Sequence, residues 1–352
     1  LNPKPNSKQA IAQACGVNLA TVSLALNNHA RVAERTRLRI QEVARRLGYV
    51  PNHAARQLAR SRFQRQGRSV ERVGLVLFDG GEPLRGVYMA FLTGVEQRVS
   101  ALGGMLVFVR ETAKSPRGRF SGFARSEVVD GLALLGVADD KALRQAKKAG
   151  LPMVVIGDNH SSKPVHQVCV DYRAMGRMAV QHLLALGHRR IGFIADRLFH
   201  IYQREIAEGA QAAMAEAGLV LQLEVWNIGK TPDEIQPALR DPIDSFRASG
   251  TTAVLVGEPG RAGVFIDRLA QKGLRVPDDI SVVACELSDA KPDSPGMTCV
   301  DASMEEVGAI GVDLLREVAR TPNGPARSIL VPPRLVEGKT CRRIAQQTGE
   351  AL

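Results

Sequence analysis

Thr21 and Ser23 stand two residues apart in a short apolar segment, Leu19–Leu26, bounded by Asn18 and Asn27. On a helix, both hydroxyls can reach phosphate oxygens or base edges. Their neighbours Leu19, Ala20 and Leu24 cannot form bidentate hydrogen bonds to bases. They could pack on thymine methyl groups, or Leu24 could turn into a core. A second set of reactive groups lies further along, where Asp79, Asp158, Asp196 and Glu258 each fall just after a β-branched run. Ligands in α/β folds sit beyond the carboxyl ends of strands, although ordinary turn chemistry uses the same residues there.

No catalytic apparatus accompanies these groups. Gly229-Lys230-Thr231 and Gly338-Lys339-Thr340 resemble the end of a phosphate loop, but the required upstream glycine is Glu224 in one and Pro333 in the other. Gly257, Gly260 and Gly263 have the wrong spacing for a dinucleotide fingerprint. No G-x-S-x-G, H-E-x-x-H or C-x-x-C is present, and the seven histidines are scattered. The five cysteines, Cys15, Cys169, Cys285, Cys299 and Cys341, are odd in number and widely spaced, which predicts reduced, mostly buried thiols. Neither a metal nor a cofactor is expected, and an enzyme built on the α/β body would need a nucleophile or cofactor loop that the sequence does not offer.

Charge points to a partner. Residues 1–72 carry 14 Lys and Arg against 3 Asp and Glu, which accounts for the whole chain's +11, because residues 73–352 hold 33 of each sign. That asymmetry predicts a small basic module that meets a polyanion, joined to a neutral body with another task. Disorder is excluded by Ile11, Val17, Val22, Ile40 and Val43, which recur at helical spacing. No apolar run approaches the ~20 residues of a membrane span, and the opening Leu1–Ala10 is polar, so a cytoplasmic protein is expected.

Three helices must position the hydroxyls. The first, Lys8 to Cys15, ends at Gly16; the second, Leu19 to Leu26, is capped by Asn18. The third, about Glu34 to Leu47, is expected to turn Leu38, Val43 and Leu47 inward and to close at Gly48. Together they describe a helix-turn-helix over residues 1–50. A helix-compatible run, His53 to Arg60, and a basic linker over 62–72 follow. From Val73 onward, β-branched runs alternate with helical patterns, which predicts two α/β lobes with parallel sheets.

These motifs resemble the lactose and galactose repressor (LacI/GalR) family of bacterial transcription regulators. The likeness lies in Ile11-Ala12-x-x-Cys15-Gly16-Val17, Ala20-Thr21-Val22-Ser23-x-x-Leu26-Asn27, Thr36-Arg37-x-x-Ile40 and Leu47-Gly48-Tyr49-x-Pro51-Asn52. It continues through Val129-Asp130-Gly131, Leu186-Gly187-His188-Arg189-Arg190-Ile191 and the run Gly273 to Val283. The resemblance implies a homodimer on a near-palindromic operator, with DNA contacts from Ser7, Lys8, Asn18, Leu19, Ala20, Thr21, Ser23, Leu24, Asn27, Arg31, Thr36, Tyr49 and Asn52. It also implies a hinge helix over 51–61 that orders on DNA, with Leu58 as a minor-groove wedge and Ala55 allowing two such helices to approach.

For the body, the resemblance implies a periplasmic-binding-protein-like core, residues 73–352, with a small effector between lobes. The first lobe would take about 73–170 and 300–327, the second about 171–299 and 328–352. Effector contacts would come from Phe78, Asp79, Asp158, Arg197, Arg204, Glu258 and Glu286. The chain departs from the family pattern where Gly257-Glu258 replaces Asn-Asp, where Ala284-Cys285-Glu286-Leu287 replaces Gly-aromatic-Asp-Asp, and where Ile206 replaces an arginine. Arg197, His200 and Arg204 would suit an anionic ligand such as a sugar acid, unless they form an exposed basic loop. A regulator that has lost effector control is the other reading of these changes. Dimer and tetramer both stay open, although Arg342–Leu352 holds no heptad run for a coiled coil.

Overall fold

The structure is a computed structural model that describes residues 7–26, 32–48, 70–78, 86–112, 122–123, 128–136, 140–158, 164–195, 201–225, 242–257, 261–286 and 296–344. The chain divides into two compact units, Leu1–Gln66 and Gly67–Leu352.

In the first unit, α1 (Lys8–Cys15) and α2 (Leu19–Leu26) are inclined at 104° to each other, and α3 (Glu34–Arg46) packs behind them. Ile11, Val22, Ala25 and Ile40 are fully buried between the three helices, with Val17, Leu24, Val43 and Leu47 around them. The expected inward position of Leu38 is corrected, since it is 57% exposed. Ile40, Val43, Ala44 and Leu47 follow the i, i+3, i+4, i+7 stripe, and Leu38 lies about 200° round the helix from Ile40. Ala33 precedes α3 without a side-chain cap.

The second unit holds two six-stranded sheets. The first contains β1 (Arg72–Phe78), β2 (Met105–Glu111), β3 (Gly131–Gly136), β4 (Met153–Ile156), β5 (Gln167–Val170) and β11 (Ser328–Val331), in the order β11-β5-β4-β3-β1-β2, all parallel. The second contains β6 (Ile191–Ala195), β7 (Gln222–Val225), β8 (Ala253–Val256), β9 (Ser281–Glu286), β10 (Cys299–Asp301) and β12 (Arg334–Val336), in the order β12-β10-β9-β8-β6-β7. Only β12 runs antiparallel to its neighbour. Continuous burial along β1, β3 and β8 is what a parallel strand covered on both faces requires. Alternate residues then part company. Val76, Leu132, Leu134 and Val155 form one outer cluster and Val254, Val256, Val282 and Ala284 another, while Leu75, Leu135, Leu255 and Val283 join a single cluster shared by both lobes.

The helices between these strands include α4 (Gly86–Ala101), α5 (Asp140–Lys148), α6 (Tyr172–Ala185), α7 (Ile201–Glu216), α8 (Pro242–Ala248), α9 (Ala262–Gln271) and α10 (Met304–Arg320). Each lobe has one close helix crossing built on glycine. A Cβ on Gly94 of α4 would stand 1.9 Å from the Glu305 carbonyl oxygen, and one on Gly209 of α7 would stand 2.0 Å from that of Arg173.

The chain passes between lobes three times, between 170 and 172, 301 and 304, and 331 and 334. This corrects the expected lobe boundaries, because β11 pairs with β5 in the first sheet whereas residues from 328 onward were placed in the second lobe. Val300 and Asp301, placed in the first lobe, instead pair with Cys285 and Glu286 in the second sheet. A four-residue strand carries too short a pattern to declare its partner. The crossings are tied together: the Asp171 N–H donates to the Val331 carbonyl at 3.0 Å, and Arg334 donates through Nε and Nη2 to Asp301 Oδ2 at 3.0 and 2.7 Å.

Two stability predictions follow from this packing. Gly209→Ala and Gly94→Ala each force one helix off the other, and urea unfolding should show losses of about 1–3 kcal/mol or more. Buried His188 places Nδ1 2.9 Å from the Thr252 hydroxyl and Nε2 3.1 Å from the Arg342 carbonyl. Burial chiefly lowers its pKa from the ordinary 6.5, so the folded protein binds this proton more weakly than the unfolded chain. Its contribution is complete above pH 6.5 and is lost as pH falls below that value. The melting temperature should therefore decline from pH 7 to 5, less steeply in His188→Gln than in the parent chain.

Candidate nucleic-acid interface

The reading face of the first unit is set by its turn. Gly16 adopts φ 62°, and its N–H and that of Val17 close onto the carbonyls of Gln13 and Ala12, so α1 stops and α2 can start across it. Ser7 caps α1 by accepting from the Ala10 N–H at 3.2 Å, and Asn18 caps α2 by accepting from the Thr21 N–H at 2.7 Å. Lys8 Nζ donates to Ser23 Oγ at 3.2 Å, which joins the start of α1 to the middle of α2. Arg39 reaches the Cys15 carbonyl at 3.2 Å and Gln41 the Ala25 carbonyl at 3.4 Å, so α3 holds both helix ends.

Among the predicted contact residues, Asn18, Leu19 and Ala20 are exposed, while Ser7, Lys8, Thr21, Ser23 and Thr36 are half-buried. Leu24 is half-buried and packs against the three-helix core. Exposed Arg35, Arg45 and Arg46 give the same unit its positive surface. Asn27, Arg31, Tyr49, Asn52, Ala55 and Leu58, with the proposed hinge and most of the linker, lie outside the described residues.

In the second unit, Asp158 follows β4 of the first lobe and meets residues of the second. Cys169 Sγ donates to Asp158 Oδ1 at 3.6 Å, and the Tyr172 hydroxyl, at the start of α6, also bonds to Asp158. Glu205 of α7 interacts with the same carboxylate, and Tyr202 stacks obliquely on Tyr172 with ring centroids 6.1 Å apart. Buried Gln203 donates to the Tyr202 hydroxyl at 3.1 Å. Burial, then Asp158, raises the pKa of the Cys169 thiol and of the Tyr172 phenol. Burial also raises that of Glu205, with Asp158 and Glu208 adding to it and Arg173 and Arg204 opposing.

Arg204, read as a ligand group, lies on α7 with Nε 3.9 Å from Glu208 Oε1. Around Asp158 the described side chains include Tyr172, Tyr202 and Glu205, with Arg173 Nε 3.9 Å from Glu205 Oε1. Phe78 is half-buried and packs on the outer cluster of the first sheet, and Glu286 ends β9. Asp79, Arg197, His200 and Glu258 lie outside the described residues. Ile206, where an arginine was expected, is fully buried, and its carbonyl oxygen lies 1.9 Å from where a Cβ on Gly176 would stand. Sequence reasoning missed Cys169, Tyr172, Tyr202 and Glu205. A signal existed for one of them, since Asp171 caps α6 by accepting from the Ala174 N–H at 2.8 Å and so puts Tyr172 in its first turn.

Comparisons with known proteins agree with this arrangement. The family of bacterial regulatory proteins, lacI family, matches residues 9–52, and the periplasmic binding protein-like domain matches residues 180–341. The HTH-type transcriptional regulator CelR of Thermobifida fusca is 30% identical over 320 residues, covering 89% of each chain. The HTH-type transcriptional repressor PurR of Photobacterium profundum is 26% identical over 337 residues, covering 94% of this chain and 97% of that one. A solved CelR–cellobiose complex is similar with a TM-score of 0.63 and 25% identity, over 96% of this chain and all of that one. The lac repressor dimer bound to operator and an anti-inducer shares the fold, with a TM-score of 0.67, 21% identity and the same coverage.

The raised thiol pKa generates a chemical prediction. At pH 8 Cys169 stays protonated in its buried position, so iodoacetamide should leave it unmodified in the native chain and alkylate it fully in urea, as read by mass spectrometry of the Cys169 peptide.

Proposed function

Because this chain belongs to the LacI family of bacterial transcription regulators, we propose that it represses transcription by binding a near-palindromic operator as a homodimer, under control of a sugar held between its lobes. The observation that carries the DNA reading is the head itself, in which a glycine turn sets α2 at 104° to α1 on a basic module. Such a unit is too small to act alone on a palindrome, and the body supplies a surface for a second copy: Met89 of α4 and Met105 and Phe108 of edge strand β2 are exposed. Among the described residues no single helix is long and apolar enough to cross a membrane. The site of action in this reading is the cytoplasm, where the DNA lies.

The ligand class follows from Asp158 and Glu205. The Asp158 carboxylate would repel a sugar acid but can accept hydrogen bonds from the hydroxyls of a neutral sugar, while Glu205 beside it is opposed by Arg173. Tyr172 and Tyr202 add aromatic surface beside them. The sugar acid suggested by Arg197, His200 and Arg204 is the alternative ligand, with Arg197 and His200 outside the described residues. The ligand acts by binding one lobe arrangement better than the other, and its effect on DNA affinity can be no larger than that difference.

The test combines DNA and sugar. The full chain should retain at least one fragment from upstream of its own gene better than bulk DNA at moderate salt, with affinity falling steeply as salt rises. If no fragment is preferred, the reading fails. Cellobiose and other neutral sugars should be screened for a rise in melting temperature, since a ligand at a hundred times its Kd adds about 2.7 kcal/mol. Asp158→Asn should abolish that rise, and sugar acids should give none.

A further inference from the structure

We infer that the head reads its operator through the C5-methyl groups of thymine, with Leu19 and Ala20 as the reading side chains. The inference rests on the operator-binding reading above and specifies what that operator must present.

Across the start of α2 the exposed residues are Asn18, Leu19 and Ala20, with Leu19 46% exposed. The Asn18 carbonyl oxygen is engaged by the Thr21 N–H, so its amide is held against the helix end. Ser23 accepts from Lys8, and its side chain is half-buried. Leu24 is half-buried against the core of the head. The outermost part of the reading helix is thus aliphatic, with no guanidinium, amide or carboxylate projecting from Leu19 or Ala20 to form a bidentate pair with a base.

An aliphatic side chain in the major groove gains free energy only where it covers an apolar group. Of the four bases, only thymine offers one there, its C5-methyl. Against guanine N7 and O6 or the amino groups of adenine and cytosine, the same leucine would remove water from polar atoms without replacing their hydrogen bonds. Discrimination therefore works by both attraction and exclusion. The positive charge of the head, including exposed Arg35, Arg45 and Arg46, draws it to any duplex and supplies no preference among bases. Charge brings the helix to the groove, and the methyl contact selects the register.

Deoxyuridine tests this directly, because it pairs as thymidine does and lacks only the methyl. The full chain should be used to enrich duplexes from a randomised pool, and each thymine of the enriched sequence should be replaced in turn by deoxyuridine. At least one thymine in each half-site should show a loss of about fourfold, the equivalent of ~0.8 kcal/mol for one buried methyl. In Leu19→Ala that penalty should shrink or vanish, while the melting temperature stays unchanged, since Leu19 lies outside the core of the head. Ala20→Gly serves as the second variant for a neighbouring thymine.

An enriched sequence that tolerates deoxyuridine at every position overturns the inference and leaves the operator reading standing. Uracil penalties that persist undiminished in both variants also overturn it, because the methyl would then be read by other residues or through DNA shape. A pool that yields no enriched sequence overturns both readings.

Discussion

The head depends on one backbone conformation, the left-handed turn at Gly16. Each of α1 and α2 is eight residues long, well below the length at which an isolated helix is stable in water. Each persists because it buries Ile11, Cys15, Val22 and Ala25 against the other and against α3, and it can do so only when the chain reverses within Gly16, Val17 and Asn18. At φ 62° a residue with a Cβ would be strained even though open space surrounds the position. The requirement is conformational rather than steric. The same turn aims the start of α2 outward, so the exposure of Leu19 and Ala20 has the same origin as the stability of the core.

The body answers a different constraint. Its two sheets belong to one folded unit, and three chain crossings join them. The Asp171–Val331 hydrogen bond joins the first crossing to the third, and the Arg334–Asp301 pair joins the third to the second. Asp301 is nearly buried while Arg334 stays largely exposed, so the guanidinium neutralises the carboxylate without itself leaving water. Within each lobe, the Gly94 and Gly209 helix crossings admit no extra atom.

How far the sequence could be read depended on how local each determinant is. The head was legible almost to the residue, because caps at Ser7 and Asn18, a glycine turn and a helical stripe are all encoded within a few positions. The central strands, such as β4 and β8, were equally plain as apolar runs. Strands β5, β7, β10, β11 and β12 were not, because the assignment of each rests on pairing with distant chain. Leu38 misled because it is apolar but falls off the stripe that Ile40 and Ala44 define. The polar cluster around Asp158 was half visible. The carboxylate was marked by its place after β4, but Tyr172 and Glu205 reach it only through the crossing that brings α6 and α7 of the second lobe alongside.

That cluster also bears on how a neutral ligand could move the lobes. Asp158 and Glu205 approach from opposite sides of the boundary, and the raised pKa of Glu205 reflects burial first and the neighbouring carboxylates second. Without a ligand, bringing the lobes together costs desolvation of one acid and repulsion from the other. A sugar that donates a hydroxyl to each carboxylate restores the lost solvation, and it can do so only when both lie within reach. Its contribution is therefore larger in the closed arrangement than in the open one, which is the differential affinity that any shift in lobe population requires. In the proposed function, a ligand held by Asp158 alone would bind both lobe arrangements equally and would shift neither.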